Sequence, residues 1–440
     1  MIKLSALPDR SGKTSRAASR PRHIQGELFV SGNPIKNILY VENGIGYGGA
    51  IICLRHLVRN LDRGRFKPLV ITGRTSPQYR EIAQEADWQY IRDRHVDVVG
   101  MRRKLEQSVW PKRIPGLTAL LNQLLARADD LFNFLPFLFR LTWTAWRFKA
   151  DLIHANNEPL CNRAALLAGK ILGIPAVCHV RGDQDGSRLM RWAYTLPDHF
   201  ISVSHWVAKS MREKLQVPPE KISVIYDGIA LEKLDLNADG NEFRRHYQIP
   251  SDAFAVGLVG LLIPWKGQEI FLDAAKLLSD KIPNLKMLVV GGTPDECRVY
   301  EAMLRERVVQ EQLGDSVIFT GHVTQMEQVY NGLNVVVSAS TSPEPLGTVV
   351  IECMAMGRPL IGPNHGGAAE MMEHNKTGLL FTPKSAASLA AEIENFYRDG
   401  QLQAQLGHNA RLHALETFSV GSHTAKIQTL YDNILTHPTA

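Results

Sequence analysis

Two glutamates with seven residues between them form the segment with the clearest chemical meaning. Glu344 lies in a loop between two prolines, and Glu352 lies in a helix that we expect to begin at Gly347. The first turn of a helix has unpaired backbone amides, here at about Gly347, Thr348 and Val349, and such amides bind phosphate. Carboxylates on either side can accept hydrogen bonds from sugar hydroxyls. The segment therefore predicts a site for a diphosphate that carries a sugar.

Further short motifs follow in order along the second half of the chain, and each is weak evidence by itself. They are Val259-Gly260 with Lys266-Gly267, Phe319-Thr320-Gly321-His322, Gly366-Gly367-Ala368-Ala369-Glu370 and Thr377-Gly378-Leu379. With the two glutamates, their order and spacing resemble glycosyltransferase family four, the retaining glycosyltransferases of GT-B architecture. The resemblance covers most of the chain from about residue 36 and is strongest from Val256 to Thr382. It implies a nucleotide-diphosphate sugar as donor and a glycan or lipid-linked acceptor.

The resemblance also implies roles for individual residues. Glu344 and Lys266 are the first two catalytic candidates, Glu344 at the donor sugar hydroxyls and Lys266 at the donor diphosphate. Glu352 is expected to contact the nucleotide ribose, and the amides of Gly347 and Thr348 to complete the diphosphate site. Such fixed positive groups stabilise the charge on the leaving diphosphate, so we expect no metal ion or other cofactor. Retention of the anomeric configuration is implied by the family alone.

Two positions depart from the family pattern. Leu261 lies five residues before Lys266, where many relatives have an arginine, so the diphosphate site has one charge fewer. Arg181 lies where many relatives have a histidine, and it is the third catalytic candidate. Because arginine is a poor proton acceptor, we expect Arg181 to stabilise charge in the cleft, with His179 on the opposite side of the strand. His322 is expected to line the nucleotide site through its backbone.

A glycine-rich loop over residues 43–49 follows the first predicted strand. The family resemblance implies that Gly48 and Gly49 at its tip face the donor phosphate across the cleft. The loop also matches the pattern Gly44-x-Gly46-x-x-Gly49 of an NAD(P)-dependent oxidoreductase. An oxidoreductase needs a ribose-binding acid at the end of the second strand, where the chain has Arg74, a residue that suits only NADP. The motifs are also compatible with a non-catalytic sugar-nucleotide-binding protein or a nucleotide-sugar epimerase.

Short β-rich runs alternate with helix-length amphipathic stretches, and the pattern begins again after a polar connector over 232–242. This alternation predicts parallel sheets flanked by helices. The predicted strands are 37–41, 68–72, 152–155, 176–180 and 200–202 in the first half, and 255–259, 287–290, 317–320, 335–338, 359–361 and 378–381 in the second. We therefore predict an α/β fold of the GT-B class, two facing Rossmann-like domains with an interdomain cleft.

The predicted domain boundaries follow from these patterns. Residues 1–34 are expected to form a basic flexible tail, in which Gly12-Lys13-Thr14 is not a P-loop because residue 7 is leucine. Residues 35–230 form the acceptor-side domain and 231–415 the domain that binds the donor nucleotide. Residues 416–440 form a last helix, which has no sheet left to follow and is available to cross back to the first domain.

Charge and cysteine content narrow the class of protein. The net charge of the 440-residue chain is +6, with +5 in residues 1–36 and +6 in 101–150. The remainder is acidic overall, so no nucleic-acid partner is expected. The five cysteines have neither disulfide nor metal-ligand spacing, and the first 30 residues have no apolar core of a secretory signal. These features predict a cytoplasmic protein.

The segment 131–148 is unusually aromatic, with five phenylalanines and two tryptophans. Pro136, Arg140 and Arg147 interrupt it too often for a membrane span. It is either a helix that covers the first sheet or an interfacial helix, favoured by its aromatic residues and the basic charge of 101–150. An interfacial helix would place the protein peripherally on the inner face of a membrane, with a lipid-linked or envelope-glycan acceptor.

Overall fold

The computed structural model describes residues 34–44, 48–108 and 116–436. The predicted basic tail therefore lies outside the described residues, except for Pro34. From Ile35 onwards the described residues form one compact unit. Two parallel sheets, each covered by helices, divide this unit into two lobes.

The sheet of the N-terminal lobe has seven described strands, all parallel. They are β1 Lys36–Glu42, β2 Phe66–Thr72, β3 Asp87–Tyr90, β4 Leu152–Ala155, β5 Ala176–Val180, β6 His199–Ser202 and β7 Ile222–Val224. Their order is β3-β2-β1-β4-β5-β6-β7. β4 and β5 are buried along their whole length, as expected for a parallel sheet covered on both faces. The order reverses between β1 and β4, and the carboxyl edge at such a point is a common ligand site.

Helices described for this lobe cover both faces of the sheet. They are α1 Gly49–Asn60, α2 Pro77–Arg80, α3 Val98–Gln107, α4 Leu117–Asp129, α5 Leu135–Phe148, α6 Arg163–Leu172, α7 Arg188–Ala193 and α8 His205–Leu215. α6 ends at Gly173, whose φ of 66° is the left-handed conformation that closes many helices.

Six described strands form the sheet of the C-terminal lobe, and all of them are again parallel. They are β8 Phe254–Val259, β9 Leu285–Val290, β10 Val317–Gly321, β11 Val335–Val337, β12 Leu360–Pro363 and β13 Leu379–Phe381. Their order is β10-β9-β8-β11-β12-β13, which reverses between β8 and β11. The described helices are α9 Gly240–His246, α10 Gln268–Leu278, α11 Arg298–Gln310, α12 Met326–Gly332, α13 Thr348–Ala355, α14 Gly366–Met371, α15 Ala386–Arg398, α16 Gly400–Thr417 and α17 Val420–Thr436.

The prediction of two Rossmann-like halves is confirmed, and each predicted strand is present with its ends shifted by two residues at most. The sequence patterns missed β3 and β7. β3 is an edge strand with mostly exposed side chains, so it lacks an apolar run. β7 has only three residues, all partly exposed, which is too short for a period-two pattern to stand out.

The chain crosses between the lobes twice, along neighbouring paths. Ile229 forms an isolated parallel bridge with Ser419, and its amide donates to the carbonyl of Phe418 at 2.9 Å. Beyond this point α17 packs against the N-terminal lobe. Its Tyr431 hydroxyl lies 2.6 Å from His154 Nδ1 and its ring packs edge-on against Phe66. The last helix of the chain therefore completes the core of the first lobe.

The aromatic segment 131–148 contains the whole of α5, and the helix has two different faces. Phe137, Leu141 and Ala145 recur every four residues and are buried in the core of the N-terminal lobe. The opposite face leaves large apolar side chains exposed, with Phe139 at 72% and Trp146 at 58%. α5 thus covers the sheet and also presents an aromatic surface to solvent. Among the described residues no helix is both long and apolar enough to cross a membrane.

Candidate active site between the two lobes

Lys266 and Glu344 form an ion pair at the carboxyl edge of the C-terminal sheet. Lys266 follows β8 and Glu344 follows β11, and these two strands are neighbours at the point where the strand order reverses. The distance from Lys266 Nζ to Glu344 Oε1 is 2.8 Å. The Ser340 hydroxyl donates to the same carboxylate oxygen, and Lys266 Nζ also lies 4.6 Å from the centre of the Trp265 ring. The structure brings together the two predicted catalytic residues of this lobe.

The helix predicted after Glu344 is α13, and its N-terminus has no side-chain cap. Gly347 occupies the cap position, and α13 begins at Thr348. The amides of Thr348 and Val349 therefore have no acceptor within the helix. Glu352, in the second turn, accepts a hydrogen bond of 2.8 Å from the Tyr330 hydroxyl, and burial raises the pKa of the Glu352 carboxyl.

A cavity of about 400 Å³ lies between the lobes, with walls from both of them. The C-terminal lobe contributes Thr348 and Glu352, and the N-terminal lobe contributes Gly49 and Arg181. Gly48 precedes α1 next to Gly49, and a Cβ at either glycine would meet no atom within 4 Å. The cavity therefore unites donor-binding candidates from the two halves of the sequence.

Other predicted site residues lie outside the walls of this cavity. Glu344 is beside it, because the next two residues, Pro345 and Leu346, form part of its wall, and Lys266 is paired with Glu344. His322 is exposed at the end of β10, where a Cβ on Gly292 would come within 3.3 Å of the histidine Cβ. The middle of the glycine loop, residues 45–47, is outside the described residues.

Arg181 reaches the cavity wall but is held by a buried carboxylate. Its Nε and Nη2 atoms donate to the two oxygens of Asp227 at 2.8 and 3.0 Å, and Nη1 donates to Asn156. The prediction that His179 lies on the opposite side is wrong, since its Nε2 is 3.4 Å from Asp227 Oδ1. Residues two apart on a strand share a face, and both side chains therefore point to the inter-lobe connection.

A second buried carboxylate, Glu42, was not identified from the sequence. It ends β1 and is 2% exposed. Its oxygens accept hydrogen bonds from the amide of Gly44 at 2.7 Å and from the side chains of Asn156 and Asn157. Burial raises the pKa of Glu42. Its position directly before the glycine loop is the only sequence signal, and its role is to anchor the start of that loop.

Glu370, the last residue of the Gly366–Glu370 motif, connects the two lobes. Its carboxylate accepts hydrogen bonds from the amides of His205, at 2.8 Å, and Trp206. These amides belong to the first turn of α8, so a residue of the C-terminal lobe caps a helix of the N-terminal lobe. The contact holds the lobes together at the edge of the cleft.

Gly366 supports the position of Glu344. Its φ is +62°, and a Cβ there would come within 2.8 Å of the Glu344 amide nitrogen. We expect Gly366→Ala to displace the Glu344 loop and to lower transfer activity by at least about tenfold, since misplaced catalytic groups lose their effect steeply. Gly400→Ala is the control, because a Cβ there meets no atom within 4 Å. Equal steady-state rates for the two variants would contradict the expectation.

Three buried histidines predict acid sensitivity. Burial lowers the pKa of His154, His179 and His423, so the folded chain keeps them neutral while the unfolded chain protonates them below pH 6.5. The contribution of these neutral histidines to the free energy of unfolding is therefore complete above pH 6.5 and is lost as the pH falls. We expect His423→Gln to flatten the plot of unfolding free energy against pH by at most about 1.4 kcal/mol per unit. Urea titrations between pH 7.5 and 6 measure this, and parallel plots for wild type and variant would disprove it.

The fold and the candidate site together define a class of enzyme. Two Rossmann-like lobes, an uncapped helix N-terminus and a lysine–glutamate pair beside an interlobe cleft are the arrangement of a GT-B glycosyltransferase. Comparison with known proteins then identifies the family. The Glycosyltransferase Family 4 model matches residues 47–233, and the Glycosyl transferases group 1 model matches residues 239–413. The resemblance to family four is thereby confirmed, and the chain is an enzyme that transfers a sugar. An oxidoreductase is not favoured.

Individual relatives agree with this assignment. The putative glycosyltransferase YtcC of Bacillus subtilis is 26% identical over 303 residues, which cover 65% of this chain and 73% of YtcC. The capsular polysaccharide biosynthesis glycosyltransferase CapM of Staphylococcus aureus is 29% identical over 210 residues, and the match spans about half of each protein, 48% and 53%. The crystal structure of Anabaena Alr3699/HepE shares the fold, with a TM-score of 0.72 and 23% identity over 91% of this chain and 100% of that one.

Proposed function

We propose that the chain transfers a sugar from a nucleoside-diphosphate sugar to an acceptor hydroxyl, with retention of configuration and without a metal ion. The interlobe cavity of about 400 Å³ is the observation that carries this proposal. Its walls combine Thr348 and Glu352 with Gly49 and Arg181, so a ligand there touches both lobes. A transferase needs such a site, because donor and acceptor must meet in a fixed orientation.

In the proposed reaction the bond between the sugar C1 and the diphosphate breaks, and its electron pair leaves with the diphosphate. Lys266 and the amides at the start of α13 stabilise that charge. The acceptor oxygen bonds to C1, and its proton passes to an oxygen of the leaving diphosphate. Asp227 and Glu352, the acids of the cavity wall, already accept hydrogen bonds from Arg181 and Tyr330, which supports this route for the proton.

Solved complexes of Anabaena Alr3699/HepE contain UDP or UDP-glucose, which supports a nucleotide sugar as the class of donor. The test is thermal unfolding with UDP-, GDP-, ADP- and TDP-sugars. A donor that binds only the folded chain stabilises it by about 2.7 kcal/mol at a hundredfold excess over Kd, so its Tm rises. If none of the four nucleotide classes raises the Tm, the proposed donor site is wrong.

Substitution of Glu344 tests its proposed contact with the donor sugar. Glu344→Gln keeps the shape of the side chain and removes the charge. A hydrogen bond to a charged group contributes about 1.5–3 kcal/mol, so donor turnover should fall by about 10- to 150-fold. Release of nucleotide from the identified donor measures this, with Glu392→Gln on α15 as the control for a lost surface carboxylate. Equal rates in Glu344→Gln and wild type would refute the contact.

We further propose that the acceptor is lipid-linked or an envelope glycan and that the N-terminal lobe contacts the inner face of a membrane. The surface concerned, here called the aromatic face, consists of the exposed side chains Leu131, Phe132, Leu135, Phe139, Trp143 and Trp146. Arg140 and Arg147 lie on the same helix, so aromatic anchors and positive charge occur together, as at an anionic lipid surface. CapM is named for capsular polysaccharide biosynthesis, and a relative from Mycobacterium tuberculosis is named for a phosphatidylinositol monomannoside, which supports this acceptor class.

Sedimentation with vesicles tests the membrane contact. We expect the chain to pellet with vesicles of phosphatidylcholine and phosphatidylglycerol at low salt, and less so at high salt because screening weakens the attraction. The Trp143→Ser variant should remain in the supernatant under the same low-salt conditions. Val309→Ser on α11 is the matched control, since Val309 is 76% exposed on the other lobe. A chain that stays in the supernatant at low salt contradicts the proposal.

A further inference from the structure

A pocket of about 160 Å³ in the N-terminal lobe has no part in the donor site described above. Three arginines line it: Arg74 after β2, Arg94 after β3 and Arg163 at the start of α6. This arginine pocket also includes Asn43, which directly follows β1. Its walls therefore come from the carboxyl ends of β1, β2 and β3 and from the helix after β4. That is the reversal point of the N-terminal sheet, where ligands of such sheets bind.

The arginine pocket has an excess of positive charge. Its two carboxylates are Asp93 and Asp129, and Asp129 already accepts a hydrogen bond of 2.8 Å from Asn133. Among the described residues neither Arg94 nor Arg163 forms an ion pair within 4.0 Å, although the Asp93 carboxyl is near enough to Arg94 and Arg74 for their charges to act on its pKa. The Arg163 guanidinium instead stacks on the Phe134 ring at 4.5 Å. Planar guanidinium groups of this kind are suited to bind phosphate.

Two further features point to a ligand. Arg163 and Ala164 form the first turn of the ten-residue helix α6, whose N-terminus adds a positive dipole end to the pocket. Asn43 Oδ1 is buried and has no hydrogen-bond partner in the structure. A buried unpaired acceptor is costly, and a ligand hydroxyl would satisfy it. The pocket thus offers donors for an anion and an acceptor for a hydroxyl.

We propose that the arginine pocket binds a phosphate group of the sugar acceptor. The inference rests on the proposed transferase function and names the acceptor's chemical class: a phosphate ester that carries a hydroxyl. Asn43 directly follows Glu42, and Asn156 connects Glu42 with Arg181 of the interlobe cavity through hydrogen bonds, so the phosphate is held near the site that the acceptor hydroxyl must enter. A pocket of this size, less than half that of the cleft, fits a phosphate rather than a glycan chain.

Titration of the full chain with inorganic phosphate, at constant ionic strength, tests the proposal. All titrations use a chain that carries Lys266→Met. This substitution removes the lysine charge of the donor site, so that phosphate bound at the donor site does not contribute to the measurement. We expect Arg94→Met and Arg163→Met each to weaken phosphate binding by about tenfold, as the loss of a charge-assisted hydrogen bond predicts. Lys209→Met removes an exposed charge of the same lobe and should leave the affinity unchanged.

Phosphate binding that is absent, or equally strong in the Arg94→Met/Arg163→Met variant, overturns the proposal. The outcome is independent of the donor site: a chain that binds nucleotide sugars but no phosphate here keeps the proposed function and loses only this inference. A chain that binds phosphate here but no nucleotide sugar loses the proposed function instead.

The source of the phosphate can be tested in the same way, because a second groove adjoins the arginine pocket. Phe139 and Trp143 of the aromatic face, together with Arg140, line this groove opposite the end of β3, residues 89–92, while residues 93 and 94 line the arginine pocket. Short-chain phosphatidic acid should bind more tightly than inorganic phosphate if the acceptor is a lipid, and Trp143→Ala should remove the difference. Equal affinities indicate a soluble phosphate ester.

Discussion

Lys266→Met is expected to lower kcat by about 10²- to 10³-fold, the loss typical when one group that stabilises developing negative charge is removed. Lys266 is the one cation that the family resemblance assigns to the leaving diphosphate, since Leu261 replaces the second. Its Nζ is 2.8 Å from Glu344 Oε1, and its side chain is only 18% exposed. The pair keeps both charges balanced until a donor arrives. Initial rates at saturating donor measure the effect.

The control for a lost lysine charge is Lys276→Met. Lys276 is on α10 in the same lobe, with a side chain that is 62% exposed and 3.7 Å from Glu311. Its loss should leave kcat within about twofold, because exposed ion pairs contribute little. Leu261→Arg, which restores the second family cation, should recover part of the activity in the Lys266→Met background. If Lys266→Met keeps more than half of the wild-type kcat, diphosphate stabilisation lies elsewhere.

The pairing of Lys266 with Glu344 is a feature of the site that could be predicted from the sequence. Each residue follows a short apolar run that reads as a strand, and the carboxyl ends of parallel strands lie at one edge of a sheet. The start of the helix after Glu344 was predicted at Gly347, and α13 begins one residue later. Local patterns were therefore sufficient for the strands, the uncapped helix and the donor-side residues.

Contacts between distant parts of the chain could not be predicted in this way. Glu370 caps α8 of the other lobe, and Asp227 pairs with Arg181 although 46 residues separate them. Neither carboxylate belongs to a periodic pattern, so the sequence gives no signal for its partner. The strand β3 was missed for a different reason, because an exposed edge strand needs no apolar side chains. Packing between elements, rather than local propensity, decides these features.

Arg181→Met should produce the largest loss of stability among single substitutions at this site, about 3–5 kcal/mol at neutral pH. Removal of one partner from a buried ion pair leaves an uncompensated charge, which accounts for that magnitude. Asp227 is 4% exposed, and the nearby groups that can become positive would be the buried imidazoles of His179, at 3.4 Å, and His423. The loss of stability relative to wild type should therefore become smaller as the pH falls towards 6, because the variant lacks one of the charges that keep the pKa of the buried His179 low. Urea unfolding at pH 7.5 and 6 measures both effects.

Arg398→Met is the matched control, since Arg398 pairs with Glu394 while its side chain is 73% exposed. This variant should lower the free energy of unfolding by less than about 1 kcal/mol, as is usual for the loss of a surface ion pair. The Arg181→Met/Asp227→Asn double variant should be more stable than Arg181→Met alone, because the unpaired charge is gone. If Arg181→Met costs no more than Arg398→Met, the buried pair does not hold the inter-lobe connection. Arg181 would then be free to act on the substrate directly, as the sequence first indicated.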